Sequence, residues 1–220
     1  MMNKVLVTGA NRGIGLELCR QLVARGDEVI AACRSSNSAL QALNLRVIEG
    51  IDVSSARSVA LLRSELGELK LNWLINNAGI LSVESLGNLD FDAMERQFRV
   101  NSLGPLRVTS ALLPNLPSGA KVGIITSRMG SIEDNTSGGY YGYRMSKAAV
   151  NMAGMSLARD LREVGVSVTL LHPGMVATEM TGGRGVKVEH SASGLIQRMD
   201  DLRAADSGSF WHAEGERLPW

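Results

Sequence analysis

The run Lys4 to Thr8 is short, apolar and rich in β-formers. It breaks into Thr8-Gly9-Ala10-Asn11-Arg12-Gly13-Ile14-Gly15, after which Leu16 to Arg25 carries helical spacing as far as Gly26. The same order of apolar run and helical pattern recurs along the chain. Glu28 to Ala32, Arg46 to Glu49, Trp73 to Asn76, Lys121 to Thr126 and Val166 to Leu171 read as strands, and a short last strand falls near Phe210. Ser55 to Leu66, Phe91 to Leu113 and Arg144 to Val164 read as helices, the second with a kink expected at Pro105. Strands alternating with helices call for a parallel sheet covered on both faces. Near-continuous apolar strands fit that burial. The expected fold is therefore α/β, a doubly wound (Rossmann) parallel sheet of about seven strands, with residues 1–220 forming a single domain. Thr181 to Gly194, rich in Gly and Ser, reads as a mobile loop.

Composition removes several functions. The chain of 220 residues has 23 basic and 22 acidic side chains, a net charge of +1, so no broad basic field is available for nucleic acid or an anionic membrane. No apolar run approaches the roughly 20 residues of a membrane helix. Met1 to Lys4 lacks the order of a secretion signal, which predicts a cytoplasmic protein. Cys19 and Cys33 have no metal or redox spacing and read as buried reduced thiols. Scattered carboxylates and the absence of an H-x-x-x-H pair predict no metal.

The glycine loop sits where a strand passes into a helix, the context of a dinucleotide site. Glycines let the backbone approach a pyrophosphate, and the helix N-terminus offers free N–H groups. Its spacing, G-x-x-x-G-x-G, differs from the usual G-x-G-x-x-G. Folds preferring NAD usually carry an acid at the end of the second strand. Here that strand ends in Cys33-Arg34, and Arg12 lies in the loop. Arginine holds a 2′-phosphate through charge-assisted hydrogen bonds, which favours NADP(H).

A second group of residues carries proton chemistry. Lys147 lies four residues after Tyr143, so on a helix both point to one face, and an ammonium there favours the phenolate. Tyr140 with Arg144 has the same spacing, and chemistry alone leaves that pair open. Ser127, after the fifth strand, can donate to a carbonyl oxygen. It is not in a G-x-S-x-G elbow, so a serine hydrolase is a poor fit. Asn101 suits either a water relay or backbone capping in a bent helix. His172, before Pro173, reads as structural.

Thr8 to Gly15, Asn76-Asn77-Ala78-Gly79, Ser127, Tyr143-x-x-x-Lys147 and Pro173-Gly174 occur in the order found in the short-chain dehydrogenase/reductase family. The sequence resembles that family over nearly its whole length, and most resembles its C-factor and sniffer-like carbonyl reductases. The resemblance selects Tyr143 over Tyr140 and implies a catalytic tetrad of Asn101, Ser127, Tyr143 and Lys147. It implies that Gly9, Asn11, Arg12, Gly13, Ile14 and Gly15 surround the pyrophosphate and adenine ribose, and that Arg34 meets the 2′-phosphate. Asp52 and Val53 would lie at the adenine, and Asn76, Asn77, Ala78 and Gly79 along the adenosine. Pro173, Gly174, Val176 and Thr178 would hold the nicotinamide end, with Tyr143 and Lys147 also touching the cofactor.

The expected activity is NADPH-dependent reduction of a small ketone or aldehyde, with Tyr143 as general acid/base. A cofactor-binding regulatory or signalling protein and an NAD-dependent alcohol dehydrogenase stay open as alternatives. Family members often pair through their two long helices, so a homodimer or homotetramer is possible. Ser127 to Tyr143 spans 16 residues, longer than in many members. The extra length, Glu133 to Gly139, is expected beside the substrate, with Tyr140, Tyr141, Met175 and the 181–194 loop as further contacts.

Overall fold

The structure is a computed structural model that describes residues 2–220. Seven strands form one parallel sheet: β1 Lys4–Thr8, β2 Glu28–Ala32, β3 Arg46–Ile48, β4 Trp73–Asn76, β5 Lys121–Ile125, β6 Ser167–His172 and β7 Ser209–His212. Their order is β3-β2-β1-β4-β5-β6-β7, so strand order reverses between β1 and β4. Ligands of doubly wound sheets bind outside the carboxyl ends of the strands at that reversal. The register Val7↔Ile75 brings the ends of β1 and β4 level there.

Alternate residues of each strand feed opposite cores. Leu6, Leu74, Val122, Ile124 and Val168 enter one cluster, under helices α3 Ala56–Leu66, α5 Gly104–Ala111 and α6 Tyr141–Asp160. Val5, Val7, Trp73, Ile75 and Leu171 enter the other, under α1 Gly13–Ala24 and α7 Val188–Asp201. Two shorter helices complete the set, α2 Ser38–Gln41 and α4 Phe91–Phe98. Cys19 and Cys33 are both buried free thiols, and burial pushes Cys19 up to about 12.

Three sequence expectations are corrected. The segment read as one helix from Phe91 to Leu113 is α4, a π turn at Arg99–Leu103 and then α5. Pro105 has no N–H to give the carbonyl of Asn101, four residues earlier, and the ladder loosens there. The helix read as Arg144 to Val164 starts at Tyr141 and ends at Asp160. The segment 181–194 is a loop only as far as Lys187, because α7 begins at Val188. Ser191, Ala192 and Gly194 are packing residues. Ser191 and Ala192 are buried, and a Cβ on Gly194 would stand 2.5 Å from the Ala213 carbonyl oxygen. Small side chains that resemble a loop in composition thus let α7 lie close to the chain beyond β7.

Candidate active site

The glycine loop is held tightly against the turn after β4. Thr8 Oγ1 accepts from the Asn77 N–H at 3.0 Å and the Ala78 N–H at 3.2 Å. Asn77 Nδ2 donates back to the carbonyls of Thr8 and Gly9 at 3.0 and 3.1 Å. Gly9 has φ +66°, and a Cβ on it would lie 2.8 Å from Ala78 Cα. A Cβ on Gly15 would lie 2.3 Å from the Gly9 oxygen. Gly9 and Gly15 therefore have no room for side chains where the loop crosses the sheet's reversal point. α1 begins there with no side-chain cap and no acid in its first turn. An uncapped N-terminus of a 12-residue helix beside a close-packed glycine turn fits a phosphate group.

The residues expected at the adenosine lie around the same loop. Asn11 Nδ2 donates to Ser35 O at 2.9 Å, and Asn37 Nδ2 donates to Asn11 O at 2.7 Å. This ties the loop to the segment after β2 that carries exposed Arg34. Asp52 lies near Arg34 and Arg107. Its burial tends to raise its carboxyl, but the Ser54 hydrogen bonds and these two arginines outweigh that and lower it. Arg12 is exposed and pairs with Glu179 at 2.5 Å, a link from the glycine loop to the turn after Thr178. A Cβ on Gly13 would lie 3.4 Å from Thr178 Cγ2, so the two ends of the groove meet here.

Some expected contacts are buried in the scaffold. The Asn76 side chain is 2% exposed and donates to Thr109 Oγ1 at 3.1 Å. Val53 is in the core against Gly104, and its carbonyl accepts from Arg107 at 2.7 Å. Val176 is buried and bridges to Val186. Their side chains hold up the groove, leaving Ala78, Gly79, Pro173, Gly174, Ile14 and Thr178 half-buried along it.

Around Tyr143 the polar side chains converge. Tyr143 and Lys147 are both buried in α6, and Lys147 Nζ lies 5.6 Å from the Tyr143 ring centroid. Burial pushes the phenol up to about 12, partly opposed by a hydrogen bond with Ser127. Burial also pushes Lys147 down to about 8. Lys147 Nζ donates to Ile125 O at 2.9 Å, at the end of β5. Ser127 follows β5, and its Oγ accepts from the Met129 N–H, which turns the chain at that point. Asn101, in the π turn, accepts from the Ile80 N–H at 2.9 Å and donates to Ile80 O and Ser146 Oγ. A Cβ on Gly79 would stand 3.4 Å from Asn101 Oδ1 and 3.8 Å from Lys147 Nζ, so glycine there opens the floor of the site.

The competing tyrosine is differently placed. Arg144 turns toward the 133–139 segment, bonding Gly138 O, Gly139 O and Ser137 Oγ. Tyr140 has φ +52° and is held by its N–H on Glu84 O at 2.9 Å. His172 stacks edge-on against His212 at 5.0 Å. Burial, then the charges of His212, Arg128 and Lys147, push it down to about 3. A cleft of about 860 Å³ opens beside Pro173, Gly174 and Met175, walled by Val186, His190 and Gln197. Sequence reasoning missed Glu84, a buried acid with no motif around it. Among the described residues no group of His, Cys, Asp and Glu is placed to hold a metal, and no helix is long and apolar enough to cross a membrane.

Comparisons with known proteins converge on one family. The family model for short chain dehydrogenases matches residues 3–188. A Rhodococcus sp. (strain AD45) protein, 1-hydroxy-2-glutathionyl-2-methyl-3-butene dehydrogenase, is 47% identical over the whole of both chains. The C-signal protein of Myxococcus xanthus is 48% identical over 67% of this chain and 91% of its own length. Among solved structures, the NADPH-bound carbonyl reductase of chicken fatty liver superposes with a TM-score of 0.92 at 34% identity, covering 100% and 99% of the two chains. The carbonyl reductase Sniffer of Drosophila melanogaster gives 0.93 at 31% identity over all of both chains.

Proposed function

This chain belongs to the short-chain dehydrogenase/reductase family, and from that premise we propose that it is an NADPH-dependent reductase of a ketone or aldehyde. The observation that supports this reading is the convergence of the Tyr143 phenol, the Ser127 hydroxyl and the Lys147 ammonium at the end of β5. The nicotinamide, when bound, supplies the hydride. Ser127 donates to the carbonyl oxygen and holds the charge that develops there. Tyr143 gives its proton to the same oxygen. Burial keeps the phenol protonated at pH 7, the form that reduction needs. Lys147 lowers the cost of the phenolate left behind. Asn101 holds the backbone at Ile80 and the Ser146 hydroxyl beside Tyr143, which steadies α6 against the π turn.

The test is NADPH oxidation against a panel of ketones and aldehydes. Turnover supports the reading. Tight NADPH binding with no turnover on any carbonyl would favour the regulatory alternative, which the likeness to C-signal keeps in view. The oxidative direction is a second reading, supported by the Rhodococcus relative, whose substrate is an alcohol with a bulky polar tail. The cleft beside Pro173 to Met175 has room for such a tail. Faster turnover of a hydroxy thioether with the oxidised cofactor than of any carbonyl with NADPH would select it.

The choice of NADPH rests on Arg12 and Arg34. Arg34→Ala is expected to weaken NADPH about tenfold and NADH hardly at all, the loss of roughly one charge-assisted contact. Glu179 competes with the phosphate for Arg12, but the pair is exposed and worth little. Glu179→Gln is therefore expected to tighten NADPH only a few-fold. Equal losses for NADH and NADPH in Arg34→Ala, by fluorescence titration, would reject this assignment.

Phe91, Phe98, Met145 and Met152 stand exposed on α4 and α6. We read this face as a contact between two copies. Met145→Glu with Phe98→Glu is expected to yield monomers by sedimentation, and an unchanged mass would refute the contact.

A further inference from the structure

Glu84 is a buried carboxylate with no part in the reaction above. It is 2% exposed and lies between β4 and α4, against the first turn of α6. Its Oε2 accepts from the Gly142 N–H at 3.2 Å, and its Oε1 accepts from Gln97 Nε2 at 2.9 Å and from the Ser82 hydroxyl. Its own carbonyl accepts from the Tyr140 N–H. Gln97 has no exposed surface and is joined to Ser82 twice, donating to its Oγ at 2.6 Å and accepting from its N–H at 3.1 Å.

This arrangement replaces a missing cap. Helices usually begin with a Ser, Thr, Asp or Asn whose side chain accepts a free N–H. α6 begins with Tyr140 in the left-handed region, and no side chain of its own caps it. Glu84 supplies the acceptor from another segment, where the helix dipole favours a negative group. Burying a carboxylate is costly unless its oxygens are satisfied, and three donors satisfy these. The packing is equally close. A Cβ on Gly142 would stand 2.4 Å from Gln97 Nε2 and 2.7 Å from Met94 Cγ. The first turn of α6 is thus set from outside itself, and Tyr143 is the next residue along.

We propose that Glu84 is a positioning residue: by holding the Gly142 N–H with its carboxylate, beside the Tyr140 N–H held by its backbone carbonyl, it sets the first turn of α6 and with it the reach of the Tyr143 hydroxyl. The proposal rests on the reading of Tyr143 as proton donor. A displacement of about 1 Å at a reacting group costs on the order of 10²-fold in rate, so the effect falls on kcat.

Three variants test this in the full chain, saturated with NADPH and assayed on whichever carbonyl the panel yields. In Glu84→Gln the amide oxygen still accepts from Gly142 and its NH2 can donate to Ser82 Oγ, while Gln97 Nε2 loses Glu84 as an acceptor and keeps Ser82 Oγ. Its kcat should stay within about threefold of the parent. Glu84→Asp keeps the charge and loses one methylene of reach, and should lose about tenfold. Glu84→Ala should lose about 10²-fold. KM and the NADPH dissociation constant should move less than about twofold, and the Gly142 amide should exchange hydrogen faster in the Asp and Ala variants. Should Glu84→Ala not fold, the order of Gln above Asp decides. Parental kcat in Glu84→Asp, an Asp variant better than Gln, or kcat, KM and cofactor binding all worsening together would overturn the proposal. Faster Gly142 exchange with unchanged kcat also overturns it while leaving the Tyr143 reading intact. An active Tyr143→Phe instead removes the Tyr143 reading itself.

Discussion

Tyr143→Phe should lower the turnover of carbonyl reduction by about two to four orders of magnitude, the range of a general acid, while NADPH binds within about twofold of the parent. The substitution removes one oxygen from a buried ring and leaves its packing in α6 intact. Ser127 can still polarise the carbonyl, so a residual rate remains. Single-turnover oxidation of bound NADPH separates this chemical loss from any change in product release. The matching control is Tyr140→Phe, expected to be near parental. Tyr140 reaches the site's edge through its backbone bond to Glu84, and Arg144, its helical partner, is engaged with Ser137, Gly138 and Gly139. An active Tyr143→Phe beside an inactive Tyr140→Phe would reverse the assignment.

Lys147→Met should abolish nearly all turnover and yet make the cofactor-free protein more stable at pH 7. Lys147 has an ordinary value of 10.5 and is brought down to about 8 by burial alone. The folded state thus binds its proton more weakly than the unfolded state. Below pH 8 the full penalty of a buried ammonium is present. Between about 8 and 10.5 the unfolded chain holds more protons, so stability rises with pH through that window. A shift of that size is worth a few kcal/mol, on the order of 1.4 per unit. The substitution also deletes the bond to Ile125 O, a loss of about 1 kcal/mol, which is smaller. The net effect at pH 7 is a gain, expected to shrink as pH climbs and to vanish somewhat below 10.5, where the remaining penalty equals the lost bond. Denaturant unfolding of parent and variant across that range reads the difference directly. A variant less stable than the parent at pH 7 would show that the ammonium is compensated in ways the geometry does not provide. On the proposed mechanism, function and stability oppose each other at this residue, because a charge that eases the phenolate has to be kept where water is scarce.

Much of this was legible from local pattern. Lys4 to Thr8, Glu28 to Ala32 and Trp73 to Asn76 have the bounds read from their apolar runs, because a strand buried on both faces leaves a continuous apolar record. The glycine loop was legible for a related reason. Gly9 and Gly15 stand where any side chain would strike Ala78 or the Gly9 carbonyl, so the crowding is written into residue choice. The 181–194 segment reads as a loop throughout but is helical from Val188, because Ser191, Ala192 and Gly194 are small for packing, and small residues look alike in a loop and in a close helix contact. The family resemblance implies cofactor contacts at Asn76, Val53 and Val176, which their backbone alone is left to make. Position along the chain does not say which way a side chain turns, and these three turn inward.

The sequence by itself determined the strand and helix alternation, the glycine turn between β1 and α1, and the one-turn spacing of Tyr143 and Lys147, a spacing that Tyr140 and Arg144 share, since each depends on residues close in the chain. Only the tertiary structure decided that Lys147 loses its surrounding water and that Arg12 meets Glu179, 167 residues away. It likewise decided that Glu84, far from α6 in the chain, caps that helix. Those outcomes depend on burial and on contacts between distant segments. Both are properties of the folded packing, and neither leaves a periodic or local trace in the order of residues.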